Sequence, residues 1–319
     1  MDLTDTQLKY FVENRLKLPK GERAEYLAQV DHLIERFAAA AKDDKVINIR
    51  KFLKTGSLRK GTVLRPKGEF GVDADVAVFL NANGTSQYDL SNLHNRIRRM
   101  LAKIYPTKKP GDFTVQPRTL GIEFHDSGLA MDLVPLLVID GPGDYGWQPS
   151  SRGEAPVKTS VTKQLEFIRA RKEAYANFAA LVRILKYWRT FNELDDSLRS
   201  FTIELIVSHR QDAEGPPPSL EAGLLRFFLY VVESQLKTPI TFTECGAAKS
   251  FPTDRVVILD PCNVDNNVAR RITDQDCAVI VEKCEKAWET MSYARNYNGK
   301  TRTLELWKEV LGRSFVVED

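Results

Sequence analysis

Thr55-Gly56-Ser57-Leu58-Arg59-Lys60-Gly61-Thr62, followed by Val72-Asp73-Ala74-Asp75-Val76-Ala77-Val78-Phe79-Leu80, is the stretch on which the fold turns. Alternate side chains of an extended strand share a face. Val72, Ala74, Val76, Val78 and Leu80 therefore point one way, and Asp73 and Asp75 point the other. Desolvating two like charges this close costs several kcal/mol unless something positive sits between them. A divalent cation is the simplest such partner, and hard carboxylate oxygens favour Mg²⁺, with Mn²⁺ as a substitute.

Working outward, a helix is expected at about 89–104, with Leu90, Leu93, Ile97 and Leu101 on its inner face. Two strands at 118–124 and 129–138 bracket the turn His125-Asp126-Ser127-Gly128. In the second, Leu129, Met131 and Leu133 alternate with Ala130, Asp132 and Val134. A third acid, Asp132, thus sits in an apolar strand as a companion for Asp73 and Asp75. Upstream, 4–15 and 20–42 read as helices broken at Leu18-Pro19-Lys20-Gly21. A short strand at 46–49 precedes a helix containing Lys51 to Lys54. Residues 140–160 read as a Gly/Pro/Ser-rich connector, and the pattern then turns helical. Leu165 to Trp188 mark one long helix, with further helices near 200, 220–236, 274–294 and 303–311.

The 319 residues are 43% hydrophobic, enough for about two packed domains. We place the boundary so that 1–158 form a mixed-sheet core with an N-terminal helix, and 159–319 a helical domain. There is no apolar run of ~18 residues, and Met1-Asp2-Leu3-Thr4-Asp5 carries no signal-peptide pattern, so a cytoplasmic protein without a membrane segment is expected. The net charge of +3 does not by itself announce a nucleic-acid binder. Basic residues nevertheless cluster at Arg96, Arg98, Arg99, Lys103, Lys108 and Lys109, and again at Lys163, Arg169, Arg171 and Lys172. Such runs are usually solvated helix faces; the alternative is a phosphate-contacting surface, double-stranded DNA included. Cys245, Cys262, Cys277 and Cys284 lack zinc-finger spacing and read as reduced thiols.

In-line attack on a nucleotide's α-phosphate needs charge neutralisation, an activated hydroxyl and a held triphosphate. Two metal ions can clamp the attacking and leaving oxygens. Asp73 and Asp75 would hold both ions, and Asp132 would complete the site facing the acceptor 3′-hydroxyl. Gly56 lets backbone approach phosphates closely, and Ser57 would open a helix whose first amides favour anions. A Gly-Ser pair or a D-x-D alone is a common accident. The pair, the two acids about 16 positions later and a downstream strand acid together form a specific pattern.

Gly56-Ser57, Asp73-x-Asp75 and Asp132 resemble the signature of the polymerase-β-like nucleotidyltransferases. Leu181 to Trp188, Ser200-Phe201-Thr202-Ile203-Glu204-Leu205 and Asp260 to Arg270 resemble oligoadenylate-synthase-like enzymes, and most of all the bacterial cGAS/DncV-like nucleotidyltransferases of anti-phage CBASS signalling. The resemblance runs nearly the whole chain. It is strongest to the branch whose neighbours make cyclic oligoadenylates under control of HORMA-domain partners. It implies an α+β, bilobed protein: a polymerase-β-like core plus a C-terminal helical domain completing a nucleotide cleft. It implies ATP, with other NTPs as alternatives, and a cyclic product such as cyclic triadenylate. Lys186 matches a lysine on the donor triphosphate, Ser200 a serine near the same phosphates, and Phe201 an aromatic stacked on the donor base. Asp260 matches a residue that either touches the donor base or anchors its loop. Two departures stand out: the stretch Arg65 to Gly71 is longer than usual in this branch, and the paired-cysteine zinc insertion of animal cGAS is missing.

Three other readings share parts of this pattern. A template-independent RNA or tRNA nucleotidyltransferase would use the same acids and the basic clusters. A small-molecule nucleotidyltransferase fits the core but not the segments at Ser200 and Asp260. A catalytically silent nucleotide- or DNA-binding scaffold would not need all three acids intact.

Overall fold

The structure, a computed structural model, describes residues 3–42, 44, 47–66, 71–81, 87–246, 249–297 and 299–317. The chain is α+β and divides into two compact units, Leu18–Leu165, and Met1–Lys17 with Glu166–Asp319. The first helix, α1 (Asp5–Phe11), continues into a π-helical turn at Val12–Leu16 and belongs to the second of these. Helix α2 (Lys20–Ala41) opens the first, as the break at Pro19 requires.

The Leu18–Leu165 unit is built on a mixed sheet. Strand β1 (Ile49–Thr55) leads through the short helix α3 (Gly56–Lys60) to β2 (Val72–Leu80), and α4 (Gln87–Ile104) follows. Next come β3 (Phe113–Val115), β4 (Leu120–Phe124), β5 (Leu129–Val138), β6 (Gly146–Gln148) and β7 (Val157–Thr159). The strand order is β1-β2-β5-β4-β3, with β6 added to β5 and β7 to β6. Only β2 and β5 run parallel among these pairs. Parallel neighbours need a long crossover, which α4, β3 and β4 supply.

The alternation expected for β2 and β5 decides what each sheet face holds. Val72, Ala74, Val76, Val78 and Leu80 of β2 join Leu129, Met131, Leu133 and Leu137 of β5 in one core with Val30, Leu33 and Phe37 of α2 and Leu93, Ile97 and Leu101 of α4. On the other face Ala77, Phe79 and Leu136 pack with Val161, flanked by Leu53, Val134 and Val138. That face is apolar toward the ends of β2 and β5 and acidic where they begin.

Two expectations for this unit need correction. Residues 51–54 are in β1, not in a helix: Phe52 pairs with Val78 and Lys54 with Val76. The lysines that suggest a helix face line an edge strand instead, where Lys51 reaches Asp144 and Lys54 reaches Asp31, both at 2.6 Å. The connector at 140–160 carries the short strands β6 and β7. Val46 of the expected early strand, and residues 67–70 of the long approach to Asp73, lie outside the described residues.

The long helix expected through Trp188 is two helices, α5 (Val161–Ala174), whose first five residues are counted with the sheet unit, and α6 (Phe178–Phe191) of the second unit. Asn177, just before α6, turns its amide to Asp5 Oδ2 at 2.8 Å. Then follow α7 (Ser200–Glu214), α8 (Leu220–Ser234), a small hairpin of β8 (Leu259–Asp260) and β9 (Asn263–Asn267), α9 (Asp274–Asn296) and α10 (Lys300–Leu311). Residues 1–17 pack here because Asp5 Oδ1 caps α8 through the Leu220 amide at 2.6 Å, while Leu3 donates its amide to Glu221 Oε2 at 3.1 Å. Phe11 meets Tyr187 and Phe315 edge-on. The sequence reading groups residues 1–17 with the sheet instead, because these capping partners lie about 200 positions away.

Candidate active site

Asp75 of β2 and Asp132 of β5 are register partners on parallel strands, with Asp73 opposite Ala130. By the alternation of both strands, all three acids share the face opposite the helix-packed core. Asp73 is exposed, and Asp75 and Asp132 are half-buried. Burial first, then the charges of Asp75 and Asp73, push the Asp132 carboxyl up to about 6, partly offset by the Thr119 hydroxyl.

The Gly-Ser turn is joined directly to this cluster. Thr55, the last residue of β1, pairs with Asp75. Gly56 turns the chain with φ +65°, and a Cβ there would fall 1.7 Å from Asp75 Oδ2. Both the backbone sign and the space therefore demand glycine. Ser57 is the second residue of α3, and its carbonyl accepts the amides of Gly61 and Thr62, which closes the loop over one turn. Gly121 of β4, opposite Asp132, plays a similar part: a Cβ there would sit 3.2 Å from Asp132 Oδ1. Gly121 and Thr119 escape the sequence reading, since only strand pairing shows that they border an acid.

Among the described residues no three acidic, His or Cys side chains form a closed cage. The donor chemistry nonetheless fits a hard divalent cation: all-oxygen, on one sheet face, with glycine leaving room beside two of the carboxylates. A cation there would offset the Asp75 and Asp73 charges, which add to the effect of burial in lifting the Asp132 carboxyl.

In the second unit, Lys186 lies on α6 and is only 6% exposed, one turn from the similarly buried Arg183. Ser200 and Phe201 are the first two residues of α7, both half-buried. The Ser200 hydroxyl accepts from Arg189 Nη1 at 3.0 Å. Asp260 is fully buried in the hairpin. Its Oδ1 takes the Cys262 amide at 2.9 Å, its Oδ2 the Asn266 amide group at 3.1 Å, and its carbonyl the Cys245 thiol at 3.0 Å. Of the two roles open to Asp260, this favours the loop anchor.

Some members of the basic runs are engaged within the fold. Arg171 is clamped between Asp212 at 2.6 Å and Glu244 at 2.5 Å and lies over the Phe167 ring. Arg169 lies near Glu173, Arg96 near Asp44, and Lys108 donates to the Glu123 carbonyl. Arg98, Arg99 and Lys108 line a groove of about 390 Å³ with Asn95 and Phe113. Neither these contacts nor the groove by itself supports DNA contact.

Strand acids beside a close-packed glycine, on a mixed sheet backed by helices, are the arrangement expected of a nucleotidyltransferase, the class to which the relatives of this chain belong. No family model matches the chain. The relatives are specific. The CBASS oligonucleotide cyclase CdnC of Escherichia coli (strain KTE188) is 38% identical over 319 residues, 100% of this chain and 99% of that protein. The cyclic AMP-AMP-AMP synthase of E. coli (strain MS 115-1) is 31% identical over 311 residues, 96% of this chain and 95% of its own. The solved structure of E. coli MS115-1 CdnC with ATP superposes with a TM-score of 0.83 at 30% identity, covering 98% of this chain and 99% of that one. That of the CdnC:HORMA-deltaN complex gives 0.80 at 30% identity, covering 98% of each chain. The fold extends to Vibrio cholerae DncV, with a TM-score of 0.72 at 12% identity and coverage of 98% and 97%. The chain belongs to the CBASS oligonucleotide cyclases, enzymes of the cGAS/DncV-like nucleotidyltransferase fold. Among the described residues no helix is long and apolar enough to cross a membrane.

Proposed function

We propose that this cyclase joins ATP units by successive 3′–5′ transfers at Asp73, Asp75 and Asp132, each 3′-hydroxyl displacing pyrophosphate from an α-phosphate, and closes the product into a cyclic oligoadenylate such as cyclic triadenylate. The observation that carries the reading is the in-register pair Asp75 and Asp132, with Gly56 packed onto the Asp75 carboxylate. The identity of the MS 115-1 relative, a cyclic AMP-AMP-AMP synthase, supports the product, and the ATP held by its CdnC supports the substrate. The CdnC:HORMA complex supports a HORMA-domain protein as regulator. A cytoplasmic location is consistent with the described helices.

Asp73, Asp75 and Asp132 would hold two Mg²⁺ ions, which supply charge neutralisation at the α-phosphate and a more acidic 3′-hydroxyl. The protein's own part is positioning and electrostatics. Asp132 completes the site on the acceptor side. Gly56 keeps side-chain bulk away from Asp75, and the Gly56-Ser57 backbone approaches the phosphates. Lys186 contributes a compact charge to the donor triphosphate, suited to phosphate without bidentate geometry. The Ser200 hydroxyl binds the same group, and Phe201 stacks on the donor base, which gives affinity rather than base identity.

The test is conversion of α-phosphate-labelled ATP by the wild type and by the Asp73→Ala, Asp75→Ala variant, each with Mg²⁺ and a HORMA-domain partner. Phosphatase-resistant label appears with the wild type only. Equal conversion by the variant would remove the acids from the chemistry.

A further inference from the structure

The last turn of helix α6 carries an arginine, Arg189, whose hydrogen bonds converge on the segment leading into α7 and on its first residue. Arg189 Nη2 pairs with Asp195 Oδ1 at 2.5 Å. Its Nη1 donates to the Leu198 carbonyl at 3.3 Å and to the Ser200 hydroxyl at 3.0 Å. The side chain is 11% exposed against 46% for Asp195, so the guanidinium is the inner member of the pair. The Thr190 hydroxyl lies within reach of Asp195 Oδ1 at 3.0 Å and of the Lys186 carbonyl at 3.2 Å, and its one proton serves one of them at a time. One buried cation therefore gathers a carboxylate, a backbone carbonyl and the Ser200 hydroxyl.

Burying a guanidinium is costly, and a clamp for the loop needs only the Asp195 and Leu198 bonds. The bond to Ser200 has a chemical consequence. A serine hydroxyl has one proton to donate and two lone pairs to accept with. Arginine only donates, so its N–H fills one lone pair of Oγ and turns the hydroxyl proton away from the guanidinium. That proton is then presented outward, on an oxygen already polarised by a charge-assisted bond, which makes it a better donor to an anion. A lysine could not make all three bonds, because its point charge lacks the planar fork.

We infer that Arg189 is a positioning residue for nucleotide binding. It never meets the triphosphate, and it sets the orientation and donor strength of the Ser200 hydroxyl that does. The inference rests on the reading of Ser200 as a triphosphate contact.

The test is equilibrium binding of 3′-deoxy-ATP with Mg²⁺ to the full chain. This probe can occupy the donor position and cannot extend a product, so the readout is independent of turnover. Arg189→Lys weakens binding by about three- to tenfold, the worth of one hydrogen bond, as does Ser200→Ala. The double variant binds no more weakly than Ser200→Ala alone, because Arg189 acts only through Ser200. Asp195→Asn leaves Arg189 in place but loosens its grip. It weakens binding when Ser200 is present and has no effect in the Ser200→Ala background, which keeps the test decisive if Arg189→Lys fails to fold. Multiplying losses in the double variants, or wild-type binding by Arg189→Lys, would overturn the inference. Unchanged affinity of Ser200→Ala would instead show that the reading of Ser200 is wrong, and the inference would fall with it.

Discussion

Replacing Asp132 by asparagine should stabilise this protein while destroying its activity. The Asp132 carboxyl is pushed from 3.8 to about 6, by burial first and then by Asp75 and Asp73. A carboxyl whose folded pKa exceeds its unfolded one binds protons more readily in the folded state. Stability therefore rises as pH falls from about 6 to about 4, and above about 6 the full cost is present. About two pH units at about 1.4 kcal/mol each make that cost about 3 kcal/mol in chelator. The amide side chain of Asp132→Asn keeps the shape and one acceptor oxygen, exchanges the other for an NH2 donor, and carries no charge. Thermal melts with EDTA at pH 7.5 should place Asp132→Asn above wild type by about 5 to 10 °C, the shift that 2 to 3 kcal/mol gives a unit of this size. The gap should close toward pH 4, where both chains are neutral at this position. It should also narrow at pH 7.5 on adding Mg²⁺, which relieves the repulsion in the wild type alone. A variant less stable than wild type by the same amount at every pH would refute the argument, since Asp132 would then be a favourable structural carboxylate.

Two other substitutions separate the chemistry from the scaffold. Gly56→Ala puts a methyl 1.7 Å from Asp75 Oδ2 at a left-handed residue, so the Asp75 carboxylate must move. Activity should fall to background while stability drops by about 1 to 2 kcal/mol, measured by denaturant unfolding beside product formation. Asp260→Ala orphans the Cys262 amide and the Asn266 side chain in a buried hairpin. It should cost about 1 to 3 kcal/mol in a melt yet leave the ratio of ATP to GTP incorporation unchanged, whereas a base-reading Asp260 would shift that ratio.

The centre of the fold was readable because period and chemistry coincide there. The alternation in β2 and β5 puts branched apolar residues on one face and the acids on the other, with no tertiary information needed. Elements whose stability comes from distant partners were not readable. Lys51 and Lys54 look like a helix face until Asp144 and Asp31 appear beside them. Nothing at Tyr175 to Asn177 carries the Gly or Pro that usually marks a break, and the Asp5 carboxylate that holds Asn177 comes from residues far upstream. Lys186 alone reads as a solvated lysine, yet it is almost wholly buried, and only resemblance to the family pointed to it. Gly121, Thr119 and Arg189 look ordinary in one dimension. Their significance depends on which strand or helix end lies opposite.

The most direct measurement is mass spectrometry of the products formed from all four NTPs and Mg²⁺, with and without a HORMA-domain partner. The account predicts a cyclic oligoadenylate, present with the wild type and absent with Asp73→Ala, Asp75→Ala. Linear tails alone, or no product even with the partner added, would contradict it.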